Sequence, residues 1–512
     1  MIRTFVKVAV ALLSFVLISV LPLAAHAAED VYLDSLELLD LLHNQQYQEL
    51  ENRLSDAQDR YENGEISDIV VMLAFDALAN SDPAHEELLN EWIESMPDSY
   101  IALAARGIYF ADIGWSARGS AYARDTTDEQ FSQMRGFHVH ALSDLRRAIN
   151  LNPRFIVGYS EIINLSKSSS LDELLGETLE KALGIDPRSY SVRKAHLFGL
   201  MPRWGGSYED IERFIGDTRK YAAENPKLKP LLGFADYVRA RNFGGRSEYG
   251  EAVEIYTKAL EHGDKDWYYR ARGAAYYQMG DYDSALKDLT RAIELWPQYP
   301  EALAWRGTVY EKLKMFDLAL ADLSLAGRLK PHDYFTQKHL GNVLAKKEKY
   351  EEAVEAYDAA LHYKPHRGHI WRKKAWYLAY KLKKPEEAAA AYKKAAQHKP
   401  DRAVYWYDYG YVLHNLHDCE VVPVLRIFVR ACKDSTDERC DKRHTEWAKR
   451  TVSHAVAQAS CPDKGPYSTA LKNKKKQVTS RYTNRDLNLW ELYKLYVRGV
   501  IWVVLEWLGL PP

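Results

Sequence analysis

The stretch DYDSALKDLTRAIELWP, residues 281–297, is followed by FDLALADLSLAGRLKP (316–331), YEEAVEAYDAALHYKP (350–365) and PEEAAAAYKKAAQHKP (385–400). The closing prolines, Pro297, Pro331, Pro365 and Pro400, stand 34, 34 and 35 residues apart. Twelve residues before the first three stand Ala285, Ala319 and Ala353, and five before all four stand Ala292, Ala326, Ala360 and Ala395. Twelve residues before the first three alanines come Gly273, Gly307 and Gly341, and Gly410 opens a further copy. A catalytic motif has no need of repetition, whereas a stacked structural unit does. Each copy reads as two helices and a tight turn. Gly or Ala falls where the helices must touch, because a larger side chain would hold their axes apart. Tyr276, Tyr310, Leu289, Leu323, Tyr357 and Tyr392 fill the space around that crossing, and Pro comes where the second helix must stop.

Period and lattice together resemble the tetratricopeptide repeat, closely over 264–399 and partially over 404–417. The fourth unit departs from the pattern, with Ala375 in place of Gly and an extra residue near Lys383-Lys384-Pro385 that loosens its turn. Weaker copies lie upstream, at HVHALSDLRRAINLNP (138–153), at ETLEKALGIDP ending in Pro187, and at YGEAVEIYTKALEHGD (249–264). The expected fold is therefore all-α: a helical-hairpin solenoid with an irregular N-terminal helical region and a disulfide-stapled C-terminal helical region.

Composition agrees with a folded chain of 512 residues, 47% hydrophobic and 27% charged, and the 35 Tyr against 14 Phe suit half-buried helix faces. The net charge of -2 hides an asymmetry. Residues 29–100 hold 19 acids against Arg53 and Arg60, while residues 331–400 hold 15 Lys and Arg against 8 acids. Such ends are either separately solvated or attract one another, within a chain or between copies.

Residues 1–27 read as a secretory signal, with Arg3 and Lys7, an apolar run and Ala25-His26-Ala27 as the cleavage site. An uncleaved anchor is the alternative. Export to a periplasmic or envelope location makes disulfides the expected state of Cys419, Cys432, Cys440 and Cys461; the preferred pairing is Cys432–Cys440 inside Cys419–Cys461. Zinc-ligand spacing is absent. The expected boundaries are 28–248 for an N-terminal helical domain with degenerate repeats, 249–418 for the solenoid, 419–462 for the Cys-containing helical cap, 463–487 for a basic linker and 488–510 for an amphipathic helix. In that last helix Glu491, Lys494, Arg498 and Glu506 share one stripe, and the apolar run is too short to span a bilayer. It is expected to cap the solenoid, self-associate or lie on a membrane surface.

The N-terminal phrases ADIGWSARGSAYARDTTDEQF and LMPRWGGSYEDIERF, in that order ahead of the repeats, resemble a bacterial family of unknown function numbered 4034, over about residues 30–250. The resemblance implies no catalytic residues. Trp115, Arg118, Arg203 and Trp204 are the residues of interest there: Arg planes stack on Trp faces and still offer donors to a carboxylate, so the two phrases would either form a pocket, the alternative in which the chain is an envelope enzyme or ligand-binding protein, or pack the insertion onto its neighbours. Ser207 followed by Asp210 reads as a helix cap.

No metalloprotease, nucleophile-elbow or phosphate-loop motif occurs. The S-x-x-K match at Ser284–Lys287 sits on the repeat lattice, and His138 and His140 would diverge on a helix. No enzyme activity, cofactor or metal is inferred, and nucleic acid is not expected of an exported chain of near-zero charge. The repeat resemblance instead implies a concave groove lined by the first helix of each pair. Projected onto this chain, the groove carries Arg270, Tyr277, Lys338, Asn342, Arg372, Trp376, Tyr407 and Tyr411. Cationic donors, an amide and aromatic plates suit a protein or peptide partner with acidic residues or a free carboxylate. Lys338 with Asn342 echoes part of the carboxylate clamp of chaperone-binding members, but Val404 and Asp408 stand where further cations would be.

Overall fold

A computed structural model describes residues 32–79, 82–119, 126–167, 172–433 and 435–457, and every regular element among them is helical. Two compact units result, one ending at Pro365 and one beginning at His366, so the division falls inside the stretch expected to be one solenoid.

The first unit opens with α1 (Ser35–His43), α2 (Tyr47–Glu62), α3 (Asp68–Leu78), α4 (Ala84–Ser95), α5 (Tyr100–Arg118) and α6 (Asp128–Leu151). It continues through α7 (Ile156–Ser166), α8 (Asp172–Ile185), α9 (Tyr190–Gly199), α10 (Tyr208–Arg219), α11 (Phe234–Gly245) and α12 (Tyr249–Leu260). Three regular hairpins complete it: α13 (Asp266–Met279) with α14 (Tyr282–Leu295), α15 (Pro300–Lys312) with α16 (Phe316–Leu329), and α17 (Tyr334–Lys346) with α18 (Tyr350–Tyr363).

The lattice read from the sequence is the packing lattice. A Cβ added at Gly273 would lie 2.9 Å from Leu289, at Gly307 2.7 Å from Leu323, and at Gly341 2.7 Å from Tyr357. The carbonyls of Ala285, Ala319 and Ala353 would lie 3.1–3.3 Å from those same atoms, so a side chain there would force the helices apart at about 1–3 kcal/mol. All six lattice alanines of these hairpins are fully buried. Each second helix closes on an N–H donated by the residue before the proline, from Trp296, Lys330 and Lys364 to the carbonyls of Ala292, Ala326 and Ala360. Each turn between paired helices needs one left-handed residue: Gly280 at φ 83°, Lys314 at 61° and Glu348 at 62°. Only the first is glycine, which adopts that conformation without Cβ strain.

A clamp absent from the sequence reading joins the hairpins. Arg272 donates through Nε and Nη2 to both carboxylate oxygens of Asp288, at 2.7 and 2.8 Å. Arg306 does the same to Asp322 at 2.7 and 2.9 Å. Arg106 and Asp144 repeat it at 2.7 and 2.9 Å between α5 and α6, where Gly107 meets Leu145 and the Ala141 carbonyl. The α5–α6 pair is thus a repeat-type hairpin with both helices lengthened, which is how the fold absorbs the insertion. The extension stays close-packed because a Cβ at Gly114 would meet the His138 ring at 2.4 Å. Thr127 caps α6 in a box with Gln130, and Ser207 caps α10 by accepting the Asp210 N–H at 3.1 Å.

The second unit contains α19 (Gly368–Tyr380), α20 (Pro385–His398), α21 (Ala403–Asn415), α22 (Val421–Ala431) and α23 (Lys442–Ala457). In the first-unit turns, Asp281, Met315 and Lys349 donate to carbonyls five residues back. In α19–α20 the Lys384 N–H reaches back six, to Leu378 at 2.8 Å, so the extra residue widens the turn by one. Cys432 and Cys440 form a disulfide and Cys419 is likewise disulfide-bonded, while Cys461 lies outside the described residues. The signal segment, the basic linker and the helix expected at 488–510 also lie outside them. Among the described residues, no helix is long and apolar enough to cross a membrane.

Candidate functional site

The concave face of the first unit is not an open groove. The N-terminal helices fold back across it, and the join begins at the end of α14. There the Ser35 N–H donates to Gln298 Oε1 at 2.7 Å, and Gln298 Nε2 donates to Asp34 at 2.7 Å. Between the two layers lies a half-open chamber of two lobes, about 410 and 190 Å³, sharing Leu73, Asp76, Trp296 and Lys330 as common wall. Groove positions become chamber wall: Trp267, Arg270 and Glu301 all line the larger lobe. On the opposite side stand Met72 and Asp76 of α3, Tyr190 and Lys194 of α9, and Tyr237 and Arg241 of α11. The acidic N-terminal helices therefore meet the repeats within one unit: Asp76 and Asp112 both act on Lys330, and Asp82 lies 3.5 Å from His332.

The chamber is electrostatically divided. In the larger lobe Lys265 pairs with Asp266 at 3.0 Å and Lys330 with Glu301 at 2.8 Å. Glu301 is the main reason the Lys330 ammonium is held more firmly protonated than usual, against burial. The smaller lobe is acidic, with Asp76, Asp112 and Glu161 against Lys330. Burial pushes the Glu161 carboxyl up to about 7, with Asp76 adding repulsion, while Asn164 donates to it at 3.0 Å. Burial also raises Asp76, partly offset by Lys194 and Lys330, although the residue keeps exposed surface beside the two lobes.

Trp115, Arg118, Arg203 and Trp204 come together. The two indoles meet edge to face at 5.5 Å, and the guanidiniums of Arg118 and Arg203 lie 5.2 and 4.9 Å from the Trp204 ring. Trp115 also meets His138 at 5.0 Å and lines the smaller lobe. The other three do not line it: Arg118 is buried in packing and Arg203 is exposed. This cluster seats the lengthened hairpin on the α9–α10 turn, and only Trp115 reaches the chamber. His138 is buried, its ring pushed down to about 4 by desolvation, while His140 packs on Phe110, so the two diverge as expected. Among the described residues no three His, Cys, Asp or Glu side chains group to hold a metal.

The projected groove residues require correction in their surroundings. Arg270 is half-buried in the chamber, its Nε donating to Tyr299 at 2.8 Å, because the N-terminal helices roof that face. Tyr277 packs on Trp305 and Tyr282, and burial raises its phenol to about 12. Asn342 is engaged within the array: it donates to Glu311 at 3.2 Å and accepts from Tyr357 at 3.0 Å. Lys338 lies over the Phe335 ring at 5.1 Å. In the second unit Arg372 is held by Asp408. Tyr407 and Tyr411 are covered by Trp447 of α23, at 5.3 and 5.7 Å, and Arg439 of the disulfide loop lies over Tyr407. Trp376 alone of the eight stays largely open, 43% exposed, with Tyr380 beside it at 41%.

Sequence reasoning missed Asp76, Glu161, Lys194, Arg241, Trp267 and Glu301. Trp267 and Glu301 stand three residues before Arg270 and Ala304 on the same first helices and were accessible by the projection used for the others. The remaining four come from helices whose docking no local pattern announces.

Family models match the chain in three places: a domain of unknown function, DUF4034, over 35–180 and 176–219, a TPR repeat over 264–314, and a tetratricopeptide repeat over 339–403. A curated relative, Hsp70-Hsp90 organizing protein 3 of Arabidopsis thaliana, is 31% identical over 119 residues; the match spans 20% of this chain and 21% of that protein. Among solved structures, a MamA RS-1 double mutant is 21% identical, covering 33% of this chain and 94% of that one with a TM-score of 0.30. The second TPR domain of human RPAP3, solved with an HSP70 peptide, is 27% identical, covering 22% and 97% with a TM-score of 0.22. The chain thus carries a DUF4034 domain in its N-terminal half and tetratricopeptide repeats behind it.

Proposed function

We propose that this chain is an exported helical-repeat scaffold that binds a protein or peptide partner in the cell envelope, with no catalytic step of its own. The observation that carries the reading is the open aromatic pair on α19. Trp376 and Tyr380 are one helical turn apart, with ring centroids 5.6 Å apart, and both stay exposed where the other groove aromatics are covered. Exposed aromatic plates on a repeat helix are costly to leave in water and give large contact area at little entropic cost. The stretch shared with Hsp70-Hsp90 organizing protein 3 supports a protein partner. The 1–27 segment and the Cys432–Cys440 disulfide support an oxidising location. Lys373 and Lys374 on the same helix favour an acidic partner.

The test is crosslinking from position 376 in intact envelopes, comparing the wild-type chain with a Trp376→Ser/Tyr380→Ser variant. One saturable partner is expected, lost in the variant. Equal crosslinking by both would overturn the assignment. Export is checked by the mature N-terminus: cleavage after Ala27 is expected, and a full-length cytosolic chain with free thiols would defeat it.

A further inference from the structure

The larger lobe holds more positive charge than its own acids can match. Its cations are Lys194, Arg241, Lys265, Arg270 and Lys330, and its acids are Asp76, Asp266 and Glu301. Two of the acids are consumed by Lys265 and Lys330. Among the described residues Lys194, Arg241 and Arg270 have no carboxylate within ion-pair distance. Arg241 Nη1 donates to the Tyr237 hydroxyl at 3.2 Å, Arg270 Nε to the Tyr299 hydroxyl at 2.8 Å, and Lys194 Nζ lies 3.8 Å from the Met72 sulfur. Asp76 is the remaining acid, and no hydrogen bond reaches it among the described residues.

Lys194 and Arg270 are half-buried and Arg241 is exposed, so the three unpaired cations line the lobe with part of their surface still in reach of water. The forks of two arginines retain unused donors beside a half-open space of about 410 Å³, within the range of small-molecule sites. The rest of the wall is apolar and mostly aromatic, including Trp267, Trp296, Tyr190 and Phe198 beside Ile69, Met72 and Leu73. Guanidinium forks fit carboxylate and phosphate oxygens two at a time, and indole and phenol faces fit a planar apolar body.

We propose that the larger lobe is a binding site for a small organic anion, a carboxylate or phosphate carried on a planar apolar body, with Arg241 and Arg270 as its anion donors. The site is separate from the α19 surface and does not depend on the partner reading. Ligand there would touch the N-terminal helices and the repeats at once, so its binding would tie the two layers together.

The test is titration calorimetry on the full mature chain, with tryptophan fluorescence as a second readout. The probes are indole-3-propionate, benzoate, phenyl phosphate and hexanoate, with indole-3-propionamide as the neutral analogue and inorganic phosphate as the free ion. Saturable one-to-one binding of at least one aromatic anion is expected, with quenching, and about tenfold or more weaker binding of the neutral amide and of inorganic phosphate. The carboxylate and phosphate arms separate the two anion sources. Arg241 is exposed, so Arg241→Gln should melt like the wild type while weakening binding about tenfold or more, and Arg241→Lys should recover part of it. Lys338→Gln, outside the chamber, and Trp376→Ser/Tyr380→Ser should bind as wild type. No saturable binding of any anion below about 1 mM, or undiminished binding by Arg241→Gln, would overturn the proposal.

Discussion

Removing the Asp322 carboxylate, as Asp322→Ala, should loosen the α15–α16 hairpin far more than removing its partner with it. The Arg306 and Asp322 side chains are 19% and 10% exposed, and two charge-assisted hydrogen bonds join them. Each such bond contributes about 1.5–3 kcal/mol. The alanine variant leaves the guanidinium half-desolvated with only Thr290, at 3.4 Å, as a remaining listener for its Nη1. The expected loss is about 3–5 kcal/mol. Arg306→Met/Asp322→Leu replaces the pair with apolar side chains of similar reach and should cost about 1 kcal/mol or less, so the double-mutant coupling is large. Because the chain is long and need not unfold in one step, the assay is native-state hydrogen exchange, read on the amides of 300–329. A loss below about 1 kcal/mol in the single variant would class the clamp with surface ion pairs, and a double variant costing the sum of the singles would refute the coupling argument.

Four further outcomes are expected. Lys314→Gly relieves a left-handed residue at φ 61° in the α15–α16 turn and should stabilise that hairpin by about 0.5–1 kcal/mol in denaturant titration, whereas Gly280→Ala should destabilise its neighbour. Gly307→Val drives a branched side chain into Leu323 and should lower the melting temperature, while Gly216→Ala, with nothing within 4 Å of the new Cβ, should be neutral or stabilise by up to about 1 kcal/mol. Glu161 keeps its proton in the folded chain up to about pH 7, against an ordinary value of 4.5, so its ionisation costs stability increasingly as pH rises through that window. Glu161→Gln should therefore match the wild type near pH 4 and exceed it by on the order of 2–3 kcal/mol at pH 8, in melts compared across pH; a constant difference would remove the burial argument. Cys432→Ser opens an eight-residue loop and should cost the second unit about 2–3 kcal/mol, seen as faster exchange around Arg439 and His444 with α13–α18 unchanged.

The repeats were legible because their packing is local. Ala285 meets Gly273 and Ala319 meets Gly307 within one hairpin, so spacing along the chain fixes proximity in space, and the same positions recur until the pattern is unmistakable. The extra residue before Pro385 was legible as a wider turn for the same reason. The Arg–Asp clamps were written there as well, at a constant offset from Gly273 and Gly307, but charged pairs sixteen apart have no meaning until the hairpin is closed. The meeting of Trp115 with Trp204 was readable only as an alternative, since their helices are separated by α6 to α9 and nothing in either phrase states a distance.

By itself, then, the sequence determined the unit, its period, where each helix stops and which small residues stand at the crossings. It also determined which side chains each first helix turns toward its concave side. What those side chains meet was decided by tertiary structure alone. Arg270 faces a chamber because α3, α9 and α11 dock across the first repeats, and Tyr407 faces Trp447 because α23 folds back over α21. A helical period fixes the direction of a side chain relative to its own axis. Whether that direction ends in water, in a partner or in another part of the same chain depends on contacts between segments far apart in sequence, whose free energy no single stretch contains.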